Sequence, residues 1–126
     1  MRLVSLVALL LISTPVLAAA NVDKALQKLG PEERARQACV IKGIEQLRRD
    51  KRIGRPDFLS PGISKPAAFN GSVVTAPAGA VRASHRWYAV SFTCSVTPDQ
   101  MKALTFAYQI GAEIPKAQWA DLGLWE

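Results

Sequence analysis

The chain has 126 residues, of which 49% are hydrophobic, and its 16 Lys and Arg against 10 Asp and Glu give a net charge of +6. A chain of this length builds one small domain, which excludes a multidomain enzyme. It has one His and two Cys, so the usual transition-metal ligands are scarce and neither a metal site nor a cofactor is expected.

The first segment of the chain has the pattern of a secretory signal peptide. Arg2 precedes an apolar run from Leu3 to Leu17, which ends in Ala18-Ala19-Ala20, whose small side chains suit a signal peptidase. The uninterrupted apolar stretch is far shorter than the roughly 20 residues that span a bilayer, which argues against a membrane anchor. We therefore expect a signal peptide over residues 1–20 that is cut near Ala18 to Ala20, a periplasmic or secreted location, no membrane span, and one mature domain over residues 21–126.

A long helix is predicted for residues 31–52, and a shorter one before Gly30. Pro31 fits a first helical turn, where its missing N–H needs no partner, and Glu32 and Glu33 lie at the positive end of the helix dipole. At about 100° per residue, one arc of the helical wheel collects the apolar side chains that predict a buried stripe. These are Cys39, Val40, Gly43, Ile44 and Leu47.

The middle of the chain is predicted to be a long loop. Residues 51–82 contain four Gly and four Pro and show no sustained hydrophobic period. Residues 72–75 and 80–83 are compatible with a weak hairpin or edge strands inside it. Loops of this length are rare in compact domains unless they bind something, so the loop is a candidate site.

The clearest periodic signal predicts two antiparallel strands. Between Tyr88 and Val96 the even positions are apolar and the odd positions are small or polar, which is typical of a strand with one buried face. This strand is predicted over residues 87–97. A second strand is predicted over residues 103–111, although a helix through residues 101–108 is an alternative.

The remaining C-terminal elements are short. Thr97-Pro98-Asp99-Gln100 has the capping hydroxyl and the proline of a short helical turn, and residues 115–122 predict a short terminal helix. Together the elements predict an α+β fold, in which the N-terminal helix packs on a small antiparallel sheet.

The two cysteines are predicted to pair. Cys39 lies on the inward stripe of the long helix, and Cys94 lies on the inward face of the first predicted strand. Two buried cysteines that face one core are expected to form a disulfide in an oxidising compartment. A catalytic thiol is disfavoured, because these faces are apolar and the chain has no C-x-x-C motif.

Several short motifs together carry a family resemblance. They are Trp87-Tyr88, Ser91-Phe92-Thr93-Cys94, Thr97-Pro98-Asp99, Met101 and the Ile114 to Trp119 segment, with Cys39 upstream. With them the chain, over about residues 32–124, resembles domain of unknown function 930, a family of small exported proteins of rhizobial-type alphaproteobacteria. The resemblance implies an envelope location, a single domain and paired cysteines. It implies no activity and no ligand.

The basic excess of the mature chain lies in one segment. Between Asp23 and Arg55 there are ten Lys or Arg and five Asp or Glu, whereas residues 56–126 contain five of each. The candidate basic patch at the end of the long helix consists of Arg48, Arg49, Lys51, Arg52 and Arg55. These cations either are a solvated face stabilised by the helix C-terminus or bind an anionic partner. In the envelope that partner is an anionic lipid, a lipopolysaccharide or a glycan, and nucleic acid is not expected.

His85 and Trp87 form a second candidate surface. His85 lies in a predicted turn, either simply exposed or as a general base or ligand contact. Trp87 either offers a stacking surface or covers the sheet edge. No catalytic residue is assigned, because nucleophile-elbow, phosphate-cradling and zinc-protease motifs are missing from the sequence.

Three hypotheses of function follow. The leading one is a non-enzymatic exported module that binds an anionic envelope component or a protein partner through the basic patch and the Pro-rich 51–82 loop. The alternative is a cell-wall-acting enzyme or enzyme inhibitor with a site around the 51–82 loop, His85 and Trp87. The third is a structural or assembly subunit of the envelope.

Overall fold

The computed structural model describes residues 16–126, and describes side chains from residue 21 onward. Most of the predicted signal peptide lies outside the described residues. Within them, two α-helices and a five-stranded antiparallel sheet confirm the predicted α+β class. In chain order the elements are α1 (Val16–Gln27), α2 (Pro31–Leu47), β1 (Pro56–Ser60), β2 (Ala68–Phe69), β3 (Val73–Ala83), β4 (Arg86–Val96), β5 (Ala103–Glu113) and a 3₁₀ helix (Lys116–Gln118).

The helix α2 begins where the sequence predicts but ends earlier. Pro31 occupies the first turn, and the face turned to the sheet buries Cys39, Gly43 and Leu47 of the predicted stripe. The helix stops at Leu47 rather than at residue 52. The N–H groups of Arg49 and Asp50 bond to carbonyls three residues back, which tightens the last turn and frees the following residues from the helix.

The sheet has the order β1-β3-β4-β5, with β2 paired to β3 beside β1. The strands β3, β4 and β5 form an antiparallel meander. A two-residue turn, Ser84-His85, joins β3 to β4, and its φ angles of 51° and 61° are those of a type I′ hairpin turn. The predicted turn at His85 is therefore confirmed.

The prediction of a long loop over residues 51–82 is wrong. That segment contains β1, β2 and nearly all of β3. The strand β3 is an interior strand, because it pairs with β1 and β2 on one side and with β4 on the other. The sequence of β3 shows no continuous hydrophobic alternation, because its pairing with β4 is irregular between Ala76 and Gly79, where Pro77 lacks an N–H. The two short strands considered in the sequence are the two halves of β3.

The strands β4 and β5 agree with the sequence, and the alternative helix through residues 101–108 is wrong. The predicted helical turn at residues 97–100 is also wrong, because these residues connect β4 to β5 as a hairpin. Oδ1 of Asp99 accepts hydrogen bonds from Thr97 Oγ1 (2.6 Å) and from the Met101 N–H (3.0 Å). These hydrogen bonds stabilise a turn in place of the predicted first turn of a helix.

Different segments cover the two faces of the sheet. The main core lies under α2, and a second, smaller cluster lies on the opposite face. The second cluster consists of Ala80, Trp87, Ile114, Trp119 and Leu124. Its cover is the C-terminal tail, which contains only the short 3₁₀ helix Lys116–Gln118 where a helix over residues 115–122 was predicted. The chain therefore buries side chains on both faces of β4 near its start, rather than on one.

The predicted disulfide between Cys39 and Cys94 is present and joins α2 to β4. Both residues are fully buried, and their Cα atoms are 6.0 Å apart. Next to the bridge, a Cβ atom on Gly43 would lie 2.6 Å from Leu59 Cδ2 and 2.7 Å from Phe106 Cζ. Only glycine allows α2 to approach the sheet so closely at this position.

Candidate functional site

The predicted basic patch lies on the turn after α2 and on the loop that leads into β1. All five of its side chains are exposed. Among the described residues, only Arg52 of the five forms an ion pair, with Asp50 at 2.7 Å. Within the described part of the chain, four of its five positive charges therefore have no ion-pair partner. These charged residues are Arg48, Arg49, Lys51, Arg52 and Arg55.

Asp50 holds the loop of the basic patch in one conformation. Its Oδ1 accepts hydrogen bonds from the Arg52 N–H (2.9 Å) and from Arg52 Nε (3.0 Å). Its Oδ2 accepts a hydrogen bond from the Tyr108 hydroxyl of β5 (2.8 Å). The hydrogen bonds from Arg52 hold the pKa of Asp50 well below its usual range, so the carboxylate stays ionised. The Asp50 carboxylate thereby fastens the loop to the sheet, because it accepts hydrogen bonds from the exposed Arg52 and from the Tyr108 phenol.

The patch surrounds a shallow depression of about 580 Å³. Its lining residues are Arg48, Asp50, Lys51, Ile53, Gly54 and Arg55. Ile53 is buried and anchors the floor of the depression, whereas the cationic side chains form the rim. Since Arg52 already neutralises the carboxylate of Asp50, the depression has a net positive rim that suits a phosphate or a carboxylate.

The Ser84-His85 turn lies against the same end of the molecule. Gly54 has no room for a Cβ, because the Ser84 side chain occupies that position. His85 is exposed, and its Nδ1 lies 3.1 Å from Arg82 Nη2. The guanidinium can only donate, so Nδ1 accepts, and the proton of the neutral ring is on Nε2. The fold thus brings His85 and the basic patch, predicted as separate candidates, to neighbouring positions.

Trp87 is not part of an accessible surface, and the prediction of a surface role for it is wrong. Its side chain is fully buried, and its Nε1 donates a hydrogen bond to the main-chain oxygen of Trp125 (2.8 Å). The cause is the C-terminal tail, which packs over this end of the sheet. The rings that reach the surface here are those of Phe58 and Trp125, neither of which was a candidate in the sequence.

A second concave surface was missed by the sequence predictions. A groove of about 500 Å³ lies between α1, α2 and the β4–β5 connection. Its floor is apolar and includes Leu26, Ile41 and Met101, with Lys42 and Glu45 at the rim. The one available signal was Ile41, a large apolar residue outside the predicted buried stripe, which is 47% exposed in the structure.

Two further findings concern only the described part of the chain. Between residues 16 and 126 no three His, Cys, Asp or Glu side chains lie where they would hold a metal ion together. Over the same residues, no helix has the length and the apolar character needed to cross a membrane.

Comparison with known families gives one match. The family model described as Domain of Unknown Function (DUF930) matches residues 26–124. The chain belongs to this family. The match covers α2, the whole sheet and the tail as far as Leu124, so the DUF930 region includes both cysteines, the basic patch and the turn at His85. No curated protein and no solved structure matches the chain.

Membership of DUF930 confirms the predicted family resemblance and leaves the role uncharacterised. The family description names no activity, ligand or partner. Any function of this DUF930 protein therefore has to be argued from its own side chains.

Proposed function

We propose that this protein is an exported, non-enzymatic binding protein that holds an anionic component of the bacterial cell envelope in the depression of its basic patch. In this proposal residues 1–20 are a signal peptide that is removed, and residues 21–126 form one domain. The disulfide between Cys39 and Cys94 supports the proposed location, because such bridges persist in oxidising compartments.

The observation that carries the proposal is the preformed, cationic depression. Arg48, Lys51 and Arg55 line it, and among the described residues none of the three has an acidic partner within ion-pair distance. Cations that only stabilise a helix end need no fixed loop. Here Asp50 and Tyr108 fix the loop before any ligand arrives, which lowers the entropic cost of binding.

The test measures binding after charge removal from the depression. The variant with Arg48→Gln, Lys51→Gln and Arg55→Gln loses three positive charges there. The control carries Lys24→Gln, Lys28→Gln and Lys65→Gln, which removes three exposed positive charges elsewhere on the surface, none of them ion-paired within the described residues. Both variants have the same net charge, so a difference between them reports the site and not the overall charge.

Three probes carry the anionic chemistry of an envelope: vesicles with and without phosphatidylglycerol, purified lipopolysaccharide, and polygalacturonate as a stand-in for an acidic glycan. Exposed ion pairs contribute up to about 1 kcal/mol each, so the loss of three should weaken binding roughly tenfold to a hundredfold. Binding of the parent should also fall as salt is raised. Equal binding by the two variants, or no binding of any probe by the parent, would contradict the proposal.

A further inference from the structure

Three aromatic rings form a rigid cluster beside the basic patch. Trp125 packs edge-to-face on Phe58, with ring centroids 4.8 Å apart, and on Trp87, with centroids 5.0 Å apart. Trp87 is fully buried and is the base of the cluster. Phe58 and Trp125 are 42% and 46% exposed and their rings meet at 75°, so both residues reach solvent beside the buried Trp87. We call these two rings the aromatic platform.

Polar side chains border the aromatic platform on the same face of the sheet. Arg82 lies directly opposite Phe58 in β1 and opposite Trp87 in β4, so its side chain leaves the sheet on their side. Its guanidinium bonds to Asp57 Oδ2 (2.5 Å) and to His85 Nδ1 (3.1 Å). An imidazole, a guanidinium and an exposed carboxylate therefore stand next to the rings.

One atom of this border lacks a partner. The Nε of Arg82 is buried and makes no hydrogen bond within the described residues. Buried donors are nearly always paired in native proteins, so an exception calls for an explanation. The unpaired donor lies at the aromatic platform and not in the main core under α2.

A sugar ring matches this combination of groups better than a lipid does. One face of a pyranose presents C–H groups that pack on a flat aromatic ring, while its hydroxyls need both donors and acceptors at the edge of the ring. An acyl chain has no donor or acceptor to offer the polar border, and a phosphate alone would leave the rings exposed. Asp57, Arg82 and His85 supply the donors and acceptors that hydroxyls require.

The aromatic platform and the basic patch are close along the chain and in space. Arg55 precedes Phe58 by three residues, which corresponds to about 10 Å of extended strand. The turn that carries His85 packs against Gly54, which lines the depression of the basic patch. A polymer with sugar rings and regularly spaced negative charges would therefore reach both surfaces at once.

We propose that Phe58 and Trp125 form a saccharide-stacking subsite, and that the ligand of the basic patch is an acidic polysaccharide rather than a phospholipid surface. This inference rests on the proposed function, because it names the class of anionic ligand. Each subsite supplies what the other lacks: the patch supplies charge and the platform supplies recognition of the sugar ring.

The test compares two variants against polygalacturonate and against vesicles that contain phosphatidylglycerol. The platform variant carries Phe58→Ala and Trp125→Ala, which leaves the main-chain oxygen that accepts the Trp87 hydrogen bond in place. The control carries Ile41→Ala and Leu104→Ala, which removes two apolar side chains that are at least as exposed (47% and 60%) and lie far from the platform in sequence. Calorimetry should show at least a tenfold loss of polygalacturonate affinity for the platform variant and no loss for the control.

A second measurement uses the unmodified protein and does not depend on the folding of a variant. Methyl-esterified polygalacturonate keeps the sugar rings and loses the charges. It should bind more weakly than the acid and should be insensitive to salt, because only the platform holds it. Failure of the ester to bind, or binding that salt abolishes, would overturn the saccharide subsite.

The outcomes separate this inference from the proposed function. Vesicle binding without polygalacturonate binding would overturn the saccharide inference and leave the anion-binding proposal standing. Unchanged polygalacturonate affinity in a folded platform variant would also overturn it. Binding to no anionic probe would overturn both.

Discussion

Loss of the Cys39–Cys94 disulfide is expected to remove much of the stability of the domain. The bridge spans a sequence separation of 55 residues. Closing a loop of that length lowers the entropy of the unfolded chain by about 14 cal/mol/K, or about 4 kcal/mol at room temperature. Small domains have total unfolding free energies of about 5 to 15 kcal/mol, so the bridge accounts for a large fraction.

The measurements are urea unfolding and thermal unfolding, each with and without a phosphine reductant. We expect reduction to lower the unfolding free energy by about 4 kcal/mol and the midpoint temperature by about 15 to 30 °C. A Cys39→Ala, Cys94→Ala variant should be insensitive to the reductant and close in stability to the reduced parent. Thiol titration of the reduced protein is the control that the bridge is open. A loss below about 1 kcal/mol would refute the loop-entropy reasoning.

Three other substitutions test separate features of the structure. Gly43→Ala should lower the unfolding free energy by about 1 to 2 kcal/mol, because the clash of the new methyl group with Leu59 and Phe106 outweighs the gain in helix propensity. The control Gly30→Ala, with open space around its Cβ, should lower it less. A stabilised Gly43→Ala variant would contradict the close contact. Asp50 has a folded pKa below its ordinary value of 3.8, so its contribution is present above that value and lost as pH falls below it. Urea unfolding across this pH range should therefore show Asp50→Asn less stable than the parent at neutral pH, with the gap closing in acid, and a constant gap would contradict the carboxylate network. His85→Gly should raise the unfolding free energy by about 1 kcal/mol in thermal melts by relieving a left-handed φ of 61°, which His85→Ala should not do.

The elements with an uninterrupted hydrophobic period were predictable from the sequence. The buried stripe of α2 and the alternation in β4 also placed Cys39 and Cys94 on faces that meet. The basic patch was predictable as a set of charges. Its depression was not, because it depends on hydrogen bonds that Asp50 makes both with the nearby Arg52 and with Tyr108, which is 58 residues away.

The failures have two physical causes. The strand β3 was taken for a loop because Pro77 interrupts its ladder and hides the period of its two halves. The sequence leaves Trp87 as either a stacking surface or a cover for the sheet edge, because a strand with one apolar face predicts no burial on its other face. The tail around Trp119 and Leu124 covers the other face, and its sequence has no period that reveals where it packs.

The position of β4 between two covers has a consequence for how the domain opens. Cys94 fastens one end of β4 to α2, while Trp87 fastens the other end to the C-terminal tail on the opposite face. If the C-terminal tail detached, α2 would still cover its face of the sheet. If α2 detached after reduction of the disulfide, the tail would still cover the opposite face. The main-chain amides in the middle of β4 bond either to β3 or to β5. They would therefore exchange with deuterium only when the whole molecule unfolds.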